Sequence, residues 1–133
     1  MAYPTGSGSE ILARTTIHAL SSSWTSFRWD GSMATTGTSS YTVPALHIIT
    51  VLNIIACEQA GAAETINVIL NDGGSATGNG NLWILEQAPL GAYQTFVFSD
   101  KLVLIGGDKL EVNCDSTSNV DFVCNYIDQN WID

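Results

Sequence analysis

KLVLIGGDKLEVNCDSTSNVDFVCNYID, Lys101 to Asp128, alternates apolar and polar residues through strand-length segments separated by turn-formers. In KLEVNC the residues Leu110, Val112 and Cys114 share one parity and Lys109, Glu111 and Asn113 the other; in VDFVCNY, Val120, Phe122, Cys124 and Tyr126 fall together. A period of two puts each set on one face of a strand, one toward a core and one toward water. Gly106-Gly107-Asp108 supplies the positive-φ freedom of a tight reversal, and Asp115 to Asn119 is built from turn residues throughout. The stretch therefore reads as consecutive strands separated by turns; if Asp115 to Asn119 closes a hairpin, Cys114 falls opposite Val120. It predicts an all-β antiparallel sandwich, jelly-roll-like.

Outward from this segment the same pattern continues. WTSFRW sets Thr25, Phe27 and Trp29 against Trp24, Ser26 and Arg28, as in a half-buried strand. Tyr41 to Val43 reads as a short strand stopped by Pro44. ETINVIL, residues 64 to 70, points Ile66, Val68 and Leu70 inward, and LWILE and TFVF add two strands joined through Pro89 and Gly91. Strands at intervals of roughly ten residues are the spacing of a sandwich. Met1 to Ser9 has almost nothing to bury and reads as a mobile arm, so the expected organisation is an arm over residues 1–10 and one domain over 11–133.

The central segment LHIITVLNIIAC carries Ile49, Val51, Ile55 and Cys57 on one parity and Leu46, Ile48, Leu52, Ile54 and Ala56 on the other. Both faces are apolar. One can line the core; the other needs a cover, from the N-terminal segment or from another chain. Self-association follows, with Leu46, Ile48, Leu52 and Ile54 as candidate contact residues.

Charge narrows the function classes. Four Lys or Arg against 13 Asp or Glu give a net charge of −9, which excludes direct nucleic-acid binding, and Arg14, Arg28, Lys101 and Lys109 are too scattered to grip an anionic membrane. Only 13% of residues are charged, so the surface is built from Ser, Thr, Asn, Gly and Ala, as suits a protein held against other subunits. The start MAYPTGSGSE lacks a basic n-region and an apolar h-region, and is not expected to direct export. The longest apolar run, Leu46 to Cys57, is interrupted by His47, Thr50 and Asn53 and reads as a strand rather than a membrane span.

Catalytic and metal chemistry find no constellation. Asn71-Asp72-Gly73-Gly74 with Asn79 and Asn81 has too few carboxylates for calcium and reads as a glycine-rich surface or interaction loop. His18 and His47 have no nucleophile turn to serve, and Asp108, Asp115 and Asp121 are accounted for by turns and an exposed strand face. Cys57, Cys114 and Cys124 read as small buried hydrophobes of a reducing compartment, with Cys114 and Cys124 out of register for a direct bridge. No cofactor or metal is expected. Trp24, Trp29, Trp83 and Trp131 carry the rival signal, since aromatic platforms on sandwiches bind sugars; Trp83 and Trp131 are the candidates, and core or interface packing is the plainer account.

TFVFSDKLVLIGGDKLEVNCDSTSNVDFVCNYID, together with VPALHIITVLNIIACEQ, resembles the small β-sandwich structural proteins of tailed bacteriophage particles of the marine-phage and cyanophage type. The similarity runs from about Tyr41 to Asp133. It implies a non-enzymatic virion protein, often trimeric: a capsid decoration or cement protein held by the major capsid protein, or a neck, tail or baseplate component. It would reside in the virion, and in host cytoplasm during assembly. A carbohydrate-binding adhesion module is the reading from another class.

Overall fold

Nine strands build the chain in the computed structural model, which describes residues 7–73, 80–116 and 119–132: β1 (Ser7–Leu20), β2 (Thr25–Ser26), β3 (His47–Glu58), β4 (Glu64–Asn71), β5 (Asn81–Leu90), β6 (Thr95–Phe98), β7 (Leu102–Ile105), β8 (Lys109–Cys114) and β9 (Val120–Ile132). One sheet runs β1-β9-β3 and then β6 with β7; the other runs β2-β8-β4-β5. All the strand pairings are antiparallel. β6 lies against Ile54 to Cys57 and β7 against Ile48 to Val51, so the two form one interrupted strand along the edge of β3. With that strand counted once, eight strands form two facing four-stranded sheets, and the chain changes sheet at every step except β4 to β5, the winding of a jelly roll.

The core is the shared inner surface. Ile49, Val51, Leu104, Phe122, Cys124 and Tyr126 from the first sheet meet Ile66, Val68, Leu110, Val112 and Cys114 from the second, each essentially removed from solvent. Phe27 packs edge-on against Phe122, and Trp29 against Tyr126 with ring centroids 5.0 Å apart. The Tyr126 hydroxyl accepts the Gly31 N–H at 3.1 Å, which satisfies a polar atom the core would otherwise strand.

Several expectations are corrected. β8 and β9 carry the predicted alternation but belong to different sheets, so the two do not pair as a hairpin. Only Thr25–Ser26 of WTSFRW is a strand, and Tyr41 to Val43 is none; Val43 instead holds the β7–β8 turn, donating to Asp108 O and accepting from Gly107 N. Residues 1–6 of the expected arm lie outside the described residues, while Ser7 to Glu10 belong to β1 and pair with Gln129 to Ile132.

Candidate interaction surface

The outer face of the first sheet follows from one irregularity. β3 has a bulge between Val51 and Asn53, and an inserted residue moves every later side chain to the opposite face. Ile49 and Val51 therefore point inward before it, and Ile54 and Ala56 after it. The parity reading that grouped Ile54 with Ile48 and Leu52 as contact residues fails here: Ile54 is 2% exposed and belongs to the core, and Ile55 and Cys57 take the outer side. The same irregularity interrupts the neighbouring edge between Phe98 and Leu102, where Lys101 Nζ donates to the Leu52 carbonyl at 3.3 Å.

Register then assembles the outer face in rows. Leu12, Ile127, Thr50 and Val103 lie across one row; Thr16, Val123, Ile55 and Val97 across another; Gln129, Ile48 and Ile105 across a third. Between them Asn125 donates to Asn53 at 2.7 Å, flanked by Leu52 and Arg14 around a shallow hollow of about 440 Å³. Leu12 is 72% exposed, Val97 54% and Val103 49%. No described element covers these rows. Glu10 and Arg14 are the charges within them, and His18 with Asp121 stands at one end.

The remaining candidates fall elsewhere. Leu46, with φ of 65°, and Trp131 meet at the end of this sheet, where the Trp131 N–H donates to the Leu46 carbonyl at 2.9 Å. The indole N–H of Trp131 is buried without a partner among the described residues. Trp83 sits on the opposite sheet, in register with Ile69, and meets Trp24 edge-on at 5.9 Å and 68°. Trp24, just before β2, and Trp83, on β5, thus meet through their rings although β8 and β4 lie between those strands in the sheet. The edge-on geometry leaves no flat two-ring platform for a pyranose.

Carboxylates tie turns. The buried Glu58 accepts N–H groups from Ala60 (2.8 Å), Gly61 (2.9 Å) and Tyr93 (2.8 Å), joining the turns at one end of the sandwich. Burial pushes its pKa up, but these donors outweigh burial and hold it below the ordinary carboxylate value. Gly61, at φ 81°, is needed there, since a Cβ would fall within 2.7 Å of the Tyr93 hydroxyl. Asp108 accepts the Ile105 N–H, and Asp115 accepts both N–H and hydroxyl of Thr65. Asp121 accepts the Ala19 N–H at the bulge that ends β1 and pairs with His18 at 3.0 Å. His47 pairs with Asp128 at 2.7 Å. Neither imidazole is hydrogen-bonded to a hydroxyl or thiol among the described residues, and no cluster of three or more His, Cys, Asp or Glu there could hold a metal. The loop read at Asn71 to Asn81 is pinned at its base, where Asn71 donates to Asn81 at 2.9 Å, and its residues 74–79 lie outside the described set.

No protein-family model matches the chain, and no curated protein matches it. Among solved structures it is similar to a chain of the virus-like particle of the extra small virus of the giant freshwater prawn Macrobrachium rosenbergii, with a TM-score of 0.47 and 10% identity over 100% of this chain and 86% of that one.

Proposed function

We propose that the chain is a non-enzymatic structural subunit of a virus particle, acting by burial of the outer face of β1-β9-β3-β6/β7 against sister chains. The observation that carries this reading is that face: rows of Leu, Ile, Val and Thr that no described residue covers, on a domain whose core is already closed on the other side. A large uncovered apolar patch marks an interaction surface, and closed cyclic symmetry is the usual way to satisfy it. The unit is a homotrimer. The resemblance of Tyr41 to Asp133 to tailed-phage particle proteins supports a decoration or cement role against the major capsid protein, within the virion and, during assembly, in host cytoplasm. Light scattering coupled to gel filtration tests the reading: three times the 14.2 kDa chain mass is expected, or six times where two trimers also pair, and a monomer at concentrations well above micromolar overturns it.

A second reading rests on Trp83, which is 51% exposed on the other sheet. Saturable glycan binding that disappears in Trp83→Ala at an unchanged melting temperature would establish a carbohydrate-binding module in place of the assembly role.

A further inference from the structure

The geometry points to a second copy of this chain pairing edge to edge with the first half of β1, so that the two five-stranded sheets become one continuous sheet across a two-fold axis. This rests on the reading of the chain as a self-associating subunit, but names a different surface from the apolar face.

Backbone direction locates the free edge. β1 pairs with β9 on one side. On its other side the Thr16 carbonyl accepts the Ala34 N–H at 2.8 Å, Met33 bridges to Thr16, and the His18 carbonyl accepts the Thr36 hydroxyl. Backbone groups alternate direction along an antiparallel strand, so Gly8, Glu10, Leu12 and Arg14 aim their N–H and C=O the same way as Thr16, away from β9. No described residue pairs with them. The other long edges are blunted: β5 carries Pro89, Gln87 at φ 49° and bulges in its pairing with β4, and β6–β7 is broken at residues 99–101. Unblunted edges template strand addition. Ile11 and Leu12 point to opposite faces there, and both stay exposed, at 60% and 72%. Cover from either face would hide one of them; an added strand hides both.

Sterics and charge select the register. Outward-aimed groups meet only when even-numbered residues face even-numbered residues. With Glu10 on the axis, two carboxylates stand directly opposite, which is destabilising. With Leu12 on the axis, the partner's Gly8 falls beside Thr16, a place already taken by Met33 and Ala34. With Ile11 on the axis, Gly8 faces the partner's Arg14 and Glu10 faces the partner's Leu12, and the reverse by symmetry. All four outward-aimed residues are then used, giving about eight backbone hydrogen bonds. On the same face Glu10 lies diagonal to the partner's Arg14 on one side and to the partner's Glu10 on the other, so the unlike pair offsets the like one, which here is no longer directly opposed. Arg14 makes no ion pair in its own chain among the described residues.

Cross-linking tests this in a Cys57→Ser background. Ile11→Cys puts two thiols across a non-hydrogen-bonded pair, with Cα atoms about 4.5 Å apart and within disulfide range, so a covalent dimer forms under mild oxidation. Ala13→Cys does not link, because the two copies of that residue stand about 13 Å apart along the strands. Arg14→Glu slows linking of Ile11→Cys roughly tenfold, and adding Glu10→Arg restores it. A folded Ile11→Cys protein that stays uncoupled, or an Ala13→Cys protein that couples as fast, overturns the pairing. Val97→Asp with Val103→Asp separates the two readings: it dissolves assembly through the apolar face and leaves this cross-link intact. Face assembly retained without the cross-link overturns the edge alone.

Discussion

Replacing Val97 and Val103 together by Asp puts the apolar-face reading to its sharpest test. Both lie on the outer side of the interrupted edge strand, in rows with Ile55 and Thr50, and each keeps about half its surface in the isolated chain, 54% and 49%. Full burial of a Val side chain is worth about 1.5–3 kcal/mol, so burying the remaining half recovers roughly 1 kcal/mol at each site, or about 2 kcal/mol per chain. That alone corresponds to about 30-fold in affinity. An unpaired carboxylate in the same place adds the cost of stripping its water, several kcal/mol on its own. Dissociation should therefore rise by at least about 100-fold. Neither residue belongs to the buried core cluster, so the melting temperature falls by only a few degrees. Light scattering across a concentration series reads the change, and circular dichroism checks the fold; Val97→Ser with Val103→Ser gives a milder version free of charge effects. A double Asp variant that keeps the wild-type mass at the same concentrations refutes the reasoning.

Three further outcomes follow from particular contacts. Glu58, held below its ordinary value, binds fewer protons folded than unfolded, so its contribution is complete above about pH 4.5 and is lost as pH falls through the folded pKa; Glu58→Gln should lower stability at neutral pH and flatten the acid decline seen by thermal melts between pH 6 and 3. Tyr126→Phe removes the acceptor of the Gly31 N–H at unchanged packing, costing about 1–2 kcal/mol in urea unfolding, while Tyr126→Ala costs about 3–5 kcal/mol. Burial pushes the Cys114 thiol up to about 12 and Cys124 higher still, so a maleimide at pH 7 should modify Cys57 alone in the folded protein and all three cysteines in denaturant, as mass spectrometry would show.

Periodicity carried the strand content. Alternation in KLEVNC and VDFVCNY named the inward residues of β8 and β9 correctly, since side-chain period is a local property of extended backbone. The uncovered apolar face was also legible, as an excess of Ile and Leu in β3 beyond what one core could take. Its exact members were not: the bulge at Leu52 that trades Ile54 for Ile55 is made by pairing with β9, about seventy residues away, and leaves no mark in the alternation of β3 itself.

What the sequence determined by itself is thus an all-β chain, poor in charge and rich in alternating apolar residues. These depend on composition and short-range pattern, which survive any arrangement of the strands. Tertiary structure alone decided that neighbouring strands β8 and β9 part into opposite sheets, that Trp24 meets Trp83, and that no described residue pairs with the outward edge of Gly8 to Arg14. Each depends on which distant strands share hydrogen bonds, and a strand's own residues specify which face is apolar but not which neighbour it will lie beside.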